Sequence, residues 1–244
     1  KVLENMQPTP LFNVMLKSNL IEILSSLNSK EIKELGDFVI SPFFNKNEGV
    51  IKLFNYLKIY YPSFEDKKTE KETVFSKIFP GAEYNDAFMR SLIFKLNQLA
   101  EDYITINDYT KDSVSFRTRQ ADSLLDRNLD GQSNKLIKQI ITRLEGTKTR
   151  NSDFYYSRYK LETLKDVIYS RTYSPLTVKD KPDDELIAES DNLIKFFLIR
   201  ILQRYRYLLN KAHTVNMKFE LDFLNGILGY LSGEGKKFLE INLV

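Results

Sequence analysis

Apolar residues in this chain recur at steps of three and four positions rather than two. The clearest run follows Asn85 and consists of Phe88, Met89, Leu92, Ile93, Leu96, Leu99, Ala100, Tyr103 and Ile104. An α-helix places such positions on one side, where they can be buried together. Because hardly any segment alternates between apolar and polar residues, as strands do, the pattern predicts an all-α protein with more than about 65% helix.

Capping signals divide the first part of the chain into separate helices. Asn28 and Glu31 predict a capping box, in which each side chain accepts a hydrogen bond from the other residue's backbone N–H. Pro42 ends that helix, because proline disfavours helical backbone in the residue before it. Thr69 and Glu72 show the letters of a second capping box, which predicts another helix start.

A polar stretch from Asn107 to Ser113 interrupts the helical pattern and is the predicted domain boundary. We therefore expect an N-terminal helical domain over residues 1–108 and a second region over 109–244. Helices in the second region are predicted at about 114–129, 133–145, 152–171, 183–212 and 216–232, with another starting near 236. Helices in series with no sheet to cover bury their faces on one another, which predicts stacked antiparallel helix pairs in an α-solenoid-like arrangement.

Three stretches within roughly residues 24–170 carry a resemblance: LNSKEIKELGDFVISPFFNKNEGVIKLFNYL, VFSKIFPGAEYNDAFMRSLIFKLNQLAEDYI and DFYYSRYKLETLKD. In this order they resemble an uncharacterised family of long helical proteins from Bacteroidetes-type bacteria. The resemblance implies an N-terminal helical region followed by stacked helices similar to tetratricopeptide repeats, and it implies no activity. The chain lacks Trp and the roughly 34-residue period of true tetratricopeptide repeats.

The turn Ser41-Pro42-Phe43-Phe44-Asn45 places two adjacent aromatic residues between two predicted helices. Polar residues are the usual choice in turns. Burial of aromatic rings stabilises a corner where helices meet, so we expect Phe43 and Phe44 to clamp these helices together. Contact with a ligand is the less favoured alternative.

The residue types present exclude several classes of site. The chain has no Cys and a single His, His213, which excludes disulfides, thiolate metal sites and sites with several histidines. No apolar run reaches the roughly 18–20 residues that a membrane span requires. We expect a cytoplasmic protein that does not contact membranes.

Candidate catalytic groups are weak in this sequence. His213 follows a predicted helix C-terminus, where a histidine commonly complements the helix dipole. The carboxylate pairs Glu101–Asp102 and Asp183–Asp184 lie at helix ends or in polar segments, where solvated acids are ordinary. No glycine-rich phosphate loop is present, and Ser232-Gly233-Glu234-Gly235 places an acid between its glycines. We therefore expect no catalytic residue, no cofactor, no metal and no enzymatic activity.

Basic residues interleaved with aromatic ones are the main functional signal. They form two groups, Arg158 and Lys160 in the first, and Arg200, Arg204, Arg206 and Lys211 in the second. A basic helix side can follow phosphates while aromatic rings stack on bases. The alternative is a buried helix whose long basic side chains extend from the rim of the core to solvent. We favour this second interpretation and expect Leu202 and Leu209 to be buried. They belong to an apolar arc of α-helical spacing, made of Ile194, Phe197, Leu198, Ile201, Leu202, Tyr205, Leu208 and Leu209.

Two functional hypotheses follow. The leading one is a non-enzymatic scaffold that holds a protein or peptide partner in a groove between stacked helices. The alternative is a nucleic-acid-binding helical module that uses the basic region 111–212.

The segment Lys236–Val244 carries an apolar stripe next to another at 221–231. Because an end unit of stacked helices normally has a polar outer side, we also expect self-association through this C-terminal edge, or further helices in a longer natural protein.

Overall fold

The computed structural model describes residues 19–64, 66–172, 183–215 and 222–233. Of these residues 82% are helical and none lies in a strand, so the predicted all-α class is confirmed. Besides a single 3₁₀ turn at Asp66–Lys68, the described helices are α1 (Asn19–Ser26), α2 (Ser29–Ile40), α3 (Glu48–Ile59), α4 (Lys71–Ile78), α5 (Asp86–Lys111), α6 (Ser113–Leu125), α7 (Asp130–Glu145), α8 (Ser152–Thr172), α9 (Asp183–Val215) and α10 (Asp222–Ser232).

The chain divides into two compact units, residues 1–110 and 111–244. The polar stretch predicted to interrupt the helices is itself mostly helical, because α5 continues to Lys111 and α6 begins at Ser113. Polar residues can continue a helix when their side chains are satisfied, and the Thr110 hydroxyl donates to the carbonyl of Asn107 at 2.9 Å. Asp112 is the cap between the two helices, since its carboxylate accepts from two backbone N–H groups of α6.

Unit 1 buries one hydrophobic core among its helices. Its fully buried large side chains are Leu20, Leu24, Leu35, Val39, Leu53, Phe54, Leu57, Met89, Leu92 and Leu96. The predicted cap of α2 is confirmed, because the Asn28 side chain accepts from the Glu31 N–H at 3.0 Å while Glu31 accepts from the Asn28 N–H at 3.0 Å. Reciprocal bonds of this kind satisfy two of the N–H groups that a helix start leaves open.

The second predicted capping box is wrong. Helix α4 begins at Lys71 with Glu70 as its cap, one residue later than the letters indicated, and Glu70 makes no side-chain capping bond. Thr69 is instead buried, with 4% of its surface exposed. Because the backbone is extended at Glu70, Thr69 lies outside the helix.

Unit 2 stacks its helices in sequence order. Helix α6 packs on α7 and α8, α7 packs on α8, and α8 packs on α9. Their shared core contains Ala121, Leu125, Ile137, Ile140, Leu144, Phe154 and Leu161. Each helix therefore buries its apolar side mainly on its neighbours in the chain, as in a solenoid. The helix predicted near residue 236 lies outside the described residues.

Candidate functional site

Helices α8 and α9 form an antiparallel pair, and two contacts define its register. The Thr163 hydroxyl donates to the Glu189 carboxylate at 2.7 Å. Nearer the start of α8, the rings of Tyr156 and Phe196 lie 5.1 Å apart between centroids. Both helices rise about 1.5 Å per residue, so the start of α8 at residue 152 lies level with about residue 200 of α9. The remainder of α9, to Val215, extends beyond the first residue of α8.

This mismatch in length corrects the predicted burial on α9. Leu198 lies beside α8 and is only 8% exposed, whereas Leu209 is 37% exposed and Leu202 is half-buried. The prediction that Leu209 is buried is therefore wrong. The cause is that the first residue of α8 lies about nine residues before Leu209 along α9, so α8 does not cover that part of the helix.

Arg158 is committed to a charge network inside unit 2. Its side chain is 17% exposed and lies 2.8 Å from the carboxylate of Glu162, which is 4% exposed. Glu162 also accepts from Lys165 at 2.7 Å, and Glu145 lies 3.6 Å from the Arg158 guanidinium. A guanidinium held between two carboxylates is poorly placed to contact a partner. Its environment indicates a structural role.

The other predicted basic contacts are exposed, and three of them share one side of α9. Lys160 lies on α8, where its ammonium group is 5.2 Å from the Tyr156 ring centroid. Arg204 lies over the Tyr207 ring at 4.9 Å. At about 100° per residue, Arg200 and Lys211 fall within about 40° of Arg204, whereas Arg206 points away from them.

Apolar residues that sequence reasoning misassigned lie on the same side of α9. Ile194 and Phe197 belong to the apolar arc predicted to be buried, yet they are 47% and 41% exposed. Leu193, outside that arc, is 42% exposed. Helix α9 packs into the unit 2 core through Phe196 and Ile199, which lie outside the predicted arc, so α8 covers only one edge of that arc. The apolar character of Phe196 and Ile199 was the available signal, but the sequence does not identify which apolar side of α9 is covered.

Metal and catalytic candidates gain no support from the geometry. The described residues contain no group of three or more His, Asp or Glu side chains that could hold a metal ion. His213 lies within α9, which continues to Val215. Glu101 accepts a hydrogen bond from Asn97 at 2.7 Å on the exposed surface of α5.

A second candidate surface lies in unit 1, at the turn between α2 and α3. The Asn45 side chain donates to the carbonyl of Val39 at 2.9 Å and accepts from the Asn47 N–H at 2.9 Å. The Asn47 side chain accepts from the first N–H groups of α3, at Gly49 and Val50. Two asparagines thus satisfy the backbone on both sides of the turn, which holds its conformation.

The two aromatic residues of this turn continue a row of rings that leads from the core to solvent. The row begins at Tyr103, which is 6% exposed, and passes through Phe38 to Phe44, 41% exposed. Phe43 follows at 4.9 Å from Phe44 and is 87% exposed. The prediction that Phe43 clamps the helices is wrong, because Asn45 and Asn47 hold the turn and the Phe43 ring points outward. We call Phe43 and Phe44 the aromatic corner.

A groove of about 820 Å³ adjoins the aromatic corner. One wall is formed by Phe44 and the residues up to Gly49, and the other by α5. The α5 wall presents Lys95, Gln98, Leu99, Glu101 and Asp102. Both charge signs occur, and Leu99 supplies an apolar base that is 8% exposed. Such a lining suits a peptide with mixed polar and apolar groups better than a single small ion.

Comparison with known proteins identified no relative of this chain. No protein-family model, no curated protein and no solved structure matches this chain. Across the described residues, none of the helices combines the length and apolar character that a bilayer crossing needs.

Proposed function

We propose that this protein is a non-enzymatic, cytoplasmic protein-binding module that holds a peptide segment of its partner at the aromatic corner and the adjoining groove. The observation that carries the proposal is the 87% exposure of Phe43 on a turn whose backbone is hydrogen-bonded on both sides. A phenyl ring that remains exposed to water contributes almost no burial free energy to the stability of the free protein. Rigid aromatic side chains are the residues that most often dominate binding energy at protein interfaces.

The environment of Phe43 favours a protein partner over other ligand classes. The turn is fixed before binding, so little conformational entropy is lost when a partner covers the ring. Its neighbour Phe44 is anchored by stacking on Phe38 at 3.9 Å, which gives the corner a firm base. The groove beside it offers both charge signs and amide groups, the chemistry with which a peptide backbone and its side chains form hydrogen bonds.

Nucleic-acid binding through the basic region is the alternative, and it has less support. The absence of any acid between Asn192 and Val215 favours it. Arg158, however, is occupied by two carboxylates, and Arg206 lies on a different side of α9 from the other three cations. Apolar side chains fill the rest of the cationic side, and they make no favourable contact with phosphates.

Quantitative affinity capture from the source cell tests the proposal. The bait is the full chain in three forms: wild type, Phe43→Ala and Ile59→Ala. Ile59 is a matched control because it is 73% exposed on α3, so its loss removes similar apolar surface elsewhere on unit 1. We expect a protein that wild type and Ile59→Ala retain and that Phe43→Ala loses. Identical protein sets on all three baits would overturn the proposal.

A further inference from the structure

One side of α9 is exposed along most of the helix and changes from apolar to cationic along its length. We call it the open face of α9, and it lies opposite the side that packs on α8. At about 100° per residue its exposed members fall within about 120° of the helix circumference, a sector that also contains the half-buried Ile201 and Leu208. They are Leu193, Ile194, Phe197, Arg200, Arg204 and Lys211, all of them exposed.

Three members of the open face lie nearly in line along the helix. Phe197, Arg204 and Lys211 are seven residues apart, so they are about 10 Å from one another. A second helix that lies along this line at a shallow crossing angle can therefore contact all three side chains.

The charges on this face specify what a partner must supply. From Asn192 to Val215 the chain has five cations and no acid. Lys195 is paired with Asp191 at 2.7 Å and is only 14% exposed, whereas Arg200, Arg204 and Lys211 are exposed and have no acid within four residues on their own helix. Acidic side chains on a partner would neutralise these three cations.

We propose that the open face of α9 binds an acidic amphipathic helix of another protein. The apolar side chains of that helix cover Leu193, Ile194 and Phe197, and its carboxylates pair with Arg200, Arg204 and Lys211. This is a second docking surface, distinct from the aromatic corner and independent of it.

The distribution of side chains separates this partner from a membrane or a nucleic acid. A helix that lies on a lipid surface has one apolar stripe along its whole length, with cations at the edges. On the open face, apolar and cationic groups instead follow one another along the same line, so insertion into lipid would bury the cations. A nucleic acid would neutralise the cations and leave the three apolar residues without a partner.

A designed peptide tests the partner chemistry directly. The probe is a synthetic amphipathic helix of about four heptads, with Leu at the seam and Glu beside it. Fluorescence anisotropy measures its affinity for the full chain at about 50 and about 200 mM salt. We expect binding that weakens with salt, and no binding of the same peptide with Lys in place of Glu.

Variants assign that binding to the open face. The triple change Arg200→Gln, Arg204→Gln and Lys211→Gln is expected to weaken peptide binding at least about tenfold. Arg206→Gln removes the same charge from another side of α9 and is expected to change affinity by less than about twofold. Phe197→Ser tests the apolar part, with Ile59→Ser in unit 1 as its control. Circular dichroism confirms that each variant remains helical.

Several results would overturn the inference. Failure of the Glu peptide to bind wild type would do so, and so would equal losses for the triple variant and Arg206→Gln. Binding of a single-stranded oligonucleotide, or of vesicles of phosphatidylserine and phosphatidylcholine, in place of the peptide would assign the cations to another partner. Phe43→Ala is expected to bind the peptide normally, so this test and that of the aromatic corner fail independently.

Discussion

The guanidinium of Arg158 lies 2.8 Å from the carboxylate of Glu162, one turn further along α8, and both side chains are largely shielded from water. The two charges depend on each other, because a shielded carboxylate without its partner is costly to desolvate. Lys165 is the second cation at Glu162, at 2.7 Å, and it is more exposed. Arg158, although it belongs to a basic stretch rich in aromatic residues, therefore stabilises unit 2 through its ion pair with Glu162.

Replacing Arg158 is therefore expected to destabilise the protein more than replacing its exposed neighbour. Arg158→Ala should lower the free energy of unfolding by about 2–3 kcal/mol, because Glu162 keeps only Lys165. Lys160→Ala should change it by less than about 0.5 kcal/mol. Urea unfolding followed by circular dichroism measures both. Equal losses of unfolding free energy in the two variants would show that Arg158 does not stabilise unit 2.

The two rings of the aromatic corner are expected to differ in their contribution to stability. Phe44→Ala removes the stacking on Phe38 and should cost about 1–2 kcal/mol, less than for a fully buried ring. Phe43→Ala should cost less than about 0.5 kcal/mol, since the ring is 87% exposed. Thermal unfolding of the two variants distinguishes a binding residue from a packing residue. A large loss for Phe43→Ala would contradict its assignment as a contact for a partner.

Two leucines on α9 test the register of the α8–α9 pair. Leu198→Ala should lower the free energy of unfolding by about 2–4 kcal/mol, because the side chain is 8% exposed. Leu209→Ala, at 37% exposure, should cost about 1 kcal/mol or less. Urea titrations of both variants provide the comparison. A larger loss of unfolding free energy for Leu209→Ala than for Leu198→Ala would mean that a different side of α9 faces α8.

Two glycines are expected to respond to alanine with opposite signs. A Cβ at Gly49 would lie 2.9 Å from the Leu92 side chain and 3.1 Å from the Asn47 capping oxygen. Gly49→Ala should therefore cost about 1–3 kcal/mol through overpacking. At Gly131, in the first turn of α7, no such atom lies within 4 Å, so Gly131→Ala should stabilise by up to about 1 kcal/mol. Calorimetric melting temperatures would show whether Gly49 is needed for close packing.

The cap of α6 gives a pH dependence with a defined sign. Hydrogen bonds from the Ser115 hydroxyl and from the backbone N–H groups of Ser115 and Val114 hold the pKa of Asp112 below its usual range. A carboxyl whose pKa is lower when folded stabilises the protein above its unfolded pKa, and this stabilisation is lost as the pH falls through the folded pKa. Asn in its place keeps a capping oxygen but has no charge.

Melting temperatures of wild type and Asp112→Asn therefore follow different pH profiles. At neutral pH wild type should melt at the higher temperature, because the carboxylate faces a helix N-terminus. Below about pH 4 the difference should shrink towards zero. A difference that stays constant across this range would show that the charge of Asp112 does not contribute.

Local sequence signals determined most of the helices in this protein. Helix period and capping depend on residues within a few positions of one another, so Asn28, Glu31 and the apolar run after Asn85 predicted their helices correctly. The same locality explains the misplaced start of α4. Glu70 has extended backbone and is the cap, a conformation that the letters of a capping box do not encode.

Tertiary structure alone decided which side chains remain available to a partner. Phe43 and Phe44 are adjacent and chemically identical, yet Phe44 stacks on Phe38 of the preceding helix, whereas Phe43 meets the Phe44 ring edge to face and stays 87% exposed. On α9, Leu198 and Leu209 belong to one apolar arc, but the first residue of α8 lies level with about residue 200, so α8 covers Leu198 and not Leu209. Burial is a property of a side chain and the element opposite it, and that element is set by the register and length of helices distant in the sequence.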